Sequence, residues 1–344
     1  MSTNRVMLKN NIKLLDCTLR DGGYVNNWDF KKNNIIKIIN NLIDAKIDFV
    51  ECGFLKNETS DSEKSLYSSI EELEEVLDLV KSGAKFTVMI NYGEFGATET
   101  IKTKYKNLFF RIAFKKKDKK EALEFVKKLV DDGNKVFVNP MNTNSYSSNE
   151  FLDLINSVNQ IKPYAFTIVD TFGAMKEKDV LSMFYVAEST LDKDIKLCFH
   201  SHNNLQLSFS NTSKLLNAVN QRELIIDSTV FGIGRGAGNL ATELIVQYLN
   251  DNFNTEYDII PILKTLHEQI NPIFLKSPWG YSVHYYLAAK NLCHPNYAKY
   301  LIDKKTVAVE VINNILQAIP PDKKASFDKD LIEKILENNK IVSN

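Results

Sequence analysis

Cysteine is scarce in this chain. Four occur in 344 residues, at positions 17, 52, 198 and 293, with no Cys-x-x-Cys spacing. That excludes a disulfide framework or an all-thiolate metal cluster as the organising element. Three of the four lie inside apolar runs (LLDCT, FVECGF, IKLCFH), where a small buried hydrophobe is the usual reading. Net charge is missing too: Lys plus Arg and Asp plus Glu both number 43, so no global field draws nucleic acid or an anionic membrane. No stretch approaches the ~18 consecutive apolar residues of a membrane span, and the opening MSTNRVMLKNNIK carries no apolar signal segment. The expectation is a cytoplasmic protein with a small-molecule partner. Histidine is also rare, at five residues, so the position of each one is informative.

What the chain does have is rhythm. Apolar runs of strand length fall at 12–17, 48–54, 85–90, 108–114, 135–138, 165–169, 195–200 and 224–227. Amphipathic helical patterns follow them at 33–45, 67–81, 97–106, 119–130, 149–161, 178–190, 205–219 and 240–249, the one at 97–106 being the weakest. Eight strand-then-helix units predict a (β/α)8 TIM barrel over 1–253; a doubly wound open sheet is the alternative. From about Asn254 the rhythm stops. Helical patterns at 259–270, 306–318 and 327–337 predict a helical C-terminal extension, 254–344, packing over the barrel mouth. The lysine run KKKDKK at 115–120 reads as a solvated face.

In a barrel, strand ends gather at one mouth, and that is where the chemically capable residues fall. His200 and His202 form an HxH at the end of the seventh run. Residues i and i+2 of a strand share a face, so both imidazoles can reach one point. Asp21 follows the first run and meets the same mouth. Two imidazoles and a carboxylate, with positions left open, make a catalytic site for a divalent metal: manganese, magnesium, zinc or cobalt, since no thiolate is recruited. Asn239, after the glycine-rich GIGRGAGN, either adds an amide oxygen or caps the last helix; the glycine loop either cradles a phosphate or turns tightly. Arg20, beside Asp21, suits stabilisation of an oxyanion or enolate, or else pairs with Asp16 or Glu51. Glu51 and Asp170 also end strands, where each could orient Arg20 or a histidine. Arg111 could meet a substrate carboxylate or Glu51.

Taken together, DCTLRDGG, VECGF, IVDTFGAM, HSHNNLQLSFSNT and GAGN resemble, in order and placement, the DRE-TIM metallolyases. That superfamily of barrel enzymes includes hydroxymethylglutaryl-CoA lyase, isopropylmalate and citramalate synthases, and 4-hydroxy-2-oxovalerate aldolase. HSHNNLQLSFSNT, GAGN and the later KSPWGYSVHYYLAA most resemble the aldolase branch. The resemblance implies a divalent metal on Asp21, His200 and His202, chelated by a 2-oxo acid. It also implies retro-aldol cleavage of a 4-hydroxy-2-oxo acid to a pyruvate enolate whose charge Arg20 shares. Thr171 stands where that branch places a small hydroxyl residue near substrate, and Tyr281 matches its active-site tyrosine. One departure is evident: the branch carries a base histidine three residues after the ligand aspartate, and here that residue is Tyr24. A phenol is a weak base at neutral pH, so Tyr281 and His284 join Tyr24 as candidates for the proton transfer. The aldolase branch docks an aldehyde dehydrogenase, but this tail, with PPDKKASFDKD, does not match that docking region; a homo-oligomer is expected.

Three other readings compete. A Claisen acyltransferase would join an acyl-CoA to a 2-oxo acid with the same metal and Arg20, but it needs a CoA groove. A metal hydrolase usually carries its HxH on the first strand rather than the seventh. A catalytically silent barrel would have no need to retain all three presumed ligands.

Overall fold

The structure is a computed structural model and describes residues 11–57, 61–96, 101–218, 222–305 and 308–338. Among the described residues nine strands form: β1 Ile12–Asp16, β2 Phe49–Leu55, β3 Leu66–Tyr67, β4 Lys85–Asn91, β5 Leu108–Phe114, β6 Lys135–Pro140, β7 Ala165–Asp170, β8 Lys196–Ser201 and β9 Leu224–Ser228. All pair in parallel in the order β1-β9-β8-β7-β6-β5-β4-β2. Leu15 opposite Phe49 and Asp16 opposite Val50 close the circle. That closure makes an eight-stranded α/β TIM barrel and rules out the open sheet. β3 is not a stave; it pairs with β2 alone, past a register shift between Glu51 and Phe54. Gly53 permits this at φ 140°, where a Cβ would lie 2.0 Å from the Ser65 carbonyl oxygen.

The period of two along each strand sorts the side chains. Leu14, Val50, Phe110, Val136, Phe166 and Ile226 face outward into the layer beneath the helices. Their neighbours Leu15, Phe49, Phe109, Phe137, Cys198 and Ile225 plug the barrel interior. Two residues further along each strand, on the same inward face, come Glu51, Arg111, Asn139, His200 and Asp227. An apolar floor therefore carries a layer of buried polar and charged groups, every one of them 4% exposed or less. Cys17, Cys52, Cys198 and Cys293 are all buried and free, as expected for the first three.

Helices follow most staves: Lys32–Asp44, Ile70–Leu77, Lys119–Asp131, Ser148–Ile161, Glu177–Thr190, Ser208–Leu216 and Thr242–Phe253. The helix expected at 97–106 is not there: 101–106 is irregular, and 97–100 lies outside the described residues. The Glu74 carboxylate holds the segment open, accepting from the Thr103 hydroxyl at 2.7 Å and the Lys104 amide at 2.8 Å. The helix expected from 205 begins only at Ser208, because Gln206 adopts φ 59°.

Beyond the barrel the chain is helical: Ile259–Thr265 running into a π-turn at Leu266–Ile270, then Asn271–Lys276, Val283–Lys290, Pro295–Asp303, Val309–Ala318 and Lys329–Asn338. Ile262 and Ile270 join the barrel core. Leu287, Tyr297, Leu301, Ile312, Leu316 and Ile332 make a separate core of their own. Contacts that tie these helices to the barrel loops include Trp279 Nε1 donating to the Phe231 carbonyl at 3.1 Å and Arg235 Nη1 lying 3.0 Å from His294 Nε2. Among the described residues, no helix is long and apolar enough to cross a membrane.

Candidate active site

The site starts at the end of β1. The Asp16 carboxylate accepts from the Thr18 amide at 2.9 Å and the Thr242 hydroxyl at 2.7 Å, which turns the chain into the single helical turn Thr18–Asp21. That turn places Arg20 and Asp21 over the polar layer. Arg20 is clamped: Nη1 lies 2.8 Å from Asp21 Oδ1 and Nε 2.8 Å from Glu51 Oε2. Glu51 also accepts from Arg111 Nη1 at 3.1 Å, and Arg111 reaches Asp227 with Nη2. Asp227 in turn holds His200 Nδ1 at 2.9 Å.

With Nδ1–H donated to Asp227, a neutral His200 turns its Nε2 lone pair toward Asp21 Oδ2, 3.5 Å away. His202 Nε2 approaches the same oxygen at 3.9 Å. Asn239 Nδ2 donates to that oxygen at 2.7 Å and to the Ile233 carbonyl at 3.1 Å. Asn239 therefore does not cap the last helix, whose N-cap is Ala241. Its Oδ1 is buried without a partner, as is His202 Nδ1.

The charge states follow from these neighbours. Burial works against ionisation of Asp21, yet Arg20 and the two histidines hold its carboxyl well below the usual range. Burial likewise opposes charging of Asp227, but Arg111 and His200 bring it down to about 2. Burial drives His202 down to about 3, so it is a neutral imidazole. His200 moves the other way: burial lowers it, and the hydrogen bonds to Asp21 and Asp227 outweigh burial and raise it. A proton shared toward Asp21 is the simplest resident of that gap, and a cation fits it equally well. Ligand atoms at ~2.0–2.2 Å from one ion sit ~3–4 Å from each other, and the two carboxylate–imidazole separations, 3.5 and 3.9 Å, fall in that range.

Cys17, Asp21 and His200 are the group whose ligand atoms all lie within 4.8 Å of one another among the described residues; His202 joins it only through Asp21. The Cys17 thiol, however, donates to the Ser228 carbonyl at 3.3 Å, and burial pushes it well above its ordinary value. It is a weaker donor than either imidazole.

A cavity of about 100 Å³ opens on this group. Its size and closed base suit a small-molecule ligand rather than a macromolecule. Arg20, Asp21, Tyr24, His200, His202 and Arg235 form its polar wall, while Phe54, Met89, Ala113, Met141 and Val169 form its apolar side. Thr171 lines it as well, its hydroxyl accepting from the Asn142 amide at 2.7 Å.

Other expected residues stand outside the cavity. Glu51 and Arg111 lie beneath it in the ion-pair chain. Asp170 turns into its own loop, accepting from the Ala174 and Met175 amides at 2.9 and 3.1 Å; burial raises its carboxyl to about 6. Neither Tyr281 nor His284 lines the cavity; Tyr281 is 59% exposed, its ring beside Tyr286. Sequence reasoning missed Asp227 and Arg235. For Asp227 the signal was present: it stands two residues after the inward-facing Ile225 and closes an apolar run. For Arg235 it was only a charge interrupting a glycine loop. That loop turns tightly: Gly236 and Gly238 have φ 70° and 84°, and Cβ atoms there would lie 2.6 Å from Asn204 Oδ1 and 2.0 Å from the Gly232 carbonyl.

Comparison with known proteins fits this geometry. The HMGL-like family model matches residues 11–267. A 4-hydroxy-2-oxovalerate aldolase of Geobacillus genomosp. 3 is 25% identical over 78% of this chain and 79% of its own. An oxaloacetate decarboxylase of Mycobacterium tuberculosis is 24% identical over 69% of each. Among solved structures, the N-terminal domain of a proposed aldolase from Bacteroides vulgatus superposes with a TM-score of 0.74 at 26% identity, covering 89% of this chain and all of that one. The Bacillus subtilis HMG-CoA lyase gives 0.60 at 15% identity, over 79% and 95%. The carboxyl transferase domain of Rhizobium etli pyruvate carboxylase gives 0.71 at 12%, over 98% and 63%, a likeness of fold that extends through the C-terminal helices. With a closed parallel barrel, a cluster of possible metal ligands at its mouth and a family match over most of its length, the chain is a lyase of the HMGL-like, DRE-TIM family, whose aldolases depend on a divalent metal.

Proposed function

We propose that this enzyme is a divalent-metal-dependent aldolase that cleaves or forms a 4-hydroxy-2-oxo acid through the enolate of pyruvate. The observation that carries the reading is the convergence of Asp21 Oδ2, His200 Nε2 and His202 Nε2 beside the clamped Arg20. Those three residues would hold the ion, with the unpartnered Asn239 Oδ1 as a further oxygen donor. A ligand set without thiolate suits manganese or magnesium, and zinc or cobalt also accept it. When bound, the ion supplies a Lewis acid at the keto oxygen of the 2-oxo acid.

The chain's own residues do the rest. Arg20, fixed by Asp21 and Glu51, presents remaining N–H donors to the cavity and stabilises negative charge as it develops on the C2 oxygen. In cleavage the C4 hydroxyl loses its proton and the C3–C4 bond breaks. Its electron pair moves to C3 and C2 as the enolate, and an aldehyde leaves. Tyr24, a hydroxyl-bearing titratable side chain on the cavity wall, would relay that proton, its oxygen accepting it as its own hydroxyl proton passes to water. C3 then gains a proton to give pyruvate. Thr171, its hydroxyl oriented by the Asn142 amide, flanks the substrate. Decarboxylation of oxaloacetate leaves the same enolate, so both activities named for the relatives share the half-reaction that Arg20 would assist.

That half-reaction is the one to test. Pyruvate in deuterated water, followed by NMR, should exchange its C3 protons when enzyme and Mn(II) or Mg(II) are present, and stop when the metal is chelated. Exchange that survives chelation, or that persists at the wild-type rate in Asp21→Asn, would overturn the site assignment.

A further inference from the structure

Four arginines lie in the described residues, and three of them have carboxylate partners. Arg20 pairs with Asp21 and Glu51, Arg111 with Glu51 and Asp227, and Arg222 with Glu188. Arg235 has no carboxylate partner among the described residues. It nonetheless lines the same small cavity as Arg20 and the two histidines.

Its placement is fixed on three sides. The guanidinium carbon stands 3.8 Å from the centroid of the Tyr24 ring, which is itself braced edge-on by Trp28 at 4.8 Å and Phe54 at 6.2 Å. Nη1 meets His294 Nε2 at 3.0 Å. The backbone on either side is pressed against buried amides: a Cβ on Gly234 would lie 2.3 Å from Asn239 Nδ2, and one on Gly236 2.6 Å from Asn204 Oδ1. Burial together with Arg235 and Lys115 brings His294 down to about 3, so that partner is neutral. An imidazole carries no negative charge to cancel that of the guanidinium. Of the acidic groups near the cavity, Glu51, Asp21 and Asp227 are already engaged by Arg20 and Arg111, and Asp170 accepts from the Ala174 and Met175 amides. Arg235 keeps a full positive charge and further N–H donors for whatever enters, and the planar fork of a guanidinium matches a carboxylate.

We propose that Arg235 selects substrates carrying a second carboxylate, distal to the 2-oxo acid head, so that the enzyme works on 2-oxo diacids. This rests on the 2-oxo acid reading above and adds the substrate class to it. The two ends are read by different groups: the head at Asp21, His200, His202 and Arg20, the distal anion at Arg235 on its Tyr24 platform.

The test compares two ligands of equal chain length, 2-oxoglutarate and 2-oxopentanoate, which differ by the distal carboxylate. Their binding to the Mn(II)-loaded full chain is measured by calorimetry for wild type, Arg235→Gln and Arg235→Lys. Wild type should favour 2-oxoglutarate by about tenfold or more, the scale of one hydrogen bond to a charged group. Arg235→Gln should bring the ratio close to one, and Arg235→Lys, which keeps the charge without the fork, should hold an intermediate ratio. Equal binding of both ligands by wild type, an unchanged ratio in Arg235→Gln, or equal weakening of both ligands overturns the assignment. If neither ligand binds wild type, the 2-oxo acid reading falls, and this one with it.

Discussion

His200 Nδ1 lies 2.9 Å from Asp227 Oδ2, and that contact decides which edge of the imidazole is free. Asp227 is also gripped by Arg111, Arg111 by Glu51, Glu51 by Arg20, and Arg20 by Asp21, which faces His200 again. The result is a closed ring of charged groups at the barrel mouth, in which Glu51, Arg111 and Asp227, none of them lining the cavity, brace both a would-be ligand and the would-be oxyanion partner.

Asp227→Asn should therefore act on metal binding from outside the site. The asparagine can present an amide N–H where His200 needs an acceptor, and the imidazole then loses its orientation. The expected cost is roughly 10–100-fold in Mn(II) affinity, read by calorimetric titration of the apo protein. Wild-type affinity in that variant would show that the ring does not position His200.

Arg20→Ala should separate binding from chemistry. On the proposed reading the guanidinium would donate toward the reacting oxygen, whereas the ligand atoms would stay on Asp21 and the histidines. Bound metal, counted by elemental analysis, should remain near wild type, while turnover falls about 10²–10³-fold, as when one oxyanion donor is lost. A comparable loss of metal would mean that Arg20 serves chiefly to hold Asp21.

On the proposed reading, three residues are candidates for the proton on the C4 oxygen, and they differ in place. Tyr24 is on the cavity wall; Tyr281 and His284 are not. Tyr24→Phe should slow aldol cleavage by about 10²-fold or more, the low end for a lost general acid–base group. Tyr281→Phe and His284→Ala should change it by only a few-fold. The reverse order would mean that the C-terminal helices close onto the mouth during turnover.

Asp16 supplies a pH signature unconnected with the metal. Burial raises its carboxyl to about 6 in the fold, against the hydrogen bonds from Thr18 and Thr242 that lower it, while the unfolded chain keeps the ordinary 3.8. Between those values the folded state binds more protons than the unfolded one. Asp16 therefore destabilises the fold progressively as pH rises from about 4 to 6. Asp16→Asn removes this titration, so its stability relative to wild type should rise over that window by roughly 2–3 kcal/mol, at about 1.4 kcal/mol per unit. Urea denaturation at pH 4 and pH 7 measures it, and a difference that does not change with pH contradicts the assigned shift.

Several features were legible in the linear chain because they depend only on local periodicity. Alternation over short apolar runs marked the barrel staves, and a charged residue ending such a run marked its mouth end. The HxH of His200 and His202 was readable for the same reason, since residues two apart share one face of a strand. The segment at 101–106 was misread as helical because Glu74, a residue on another element, decides its conformation. Asn239 was undecided between cap and mouth, and its partner Asp21 lies 218 positions away. Asp227 and Arg235 gained their meaning only on closure, when β9 joined β1 and brought Arg111 and Tyr24 within reach. Side-chain chemistry and its spacing along each strand belong to the sequence by itself. Which carboxylate neutralises which cation, and which cation is left over, was decided by the closed barrel, because that is a sum over neighbours supplied by different strands.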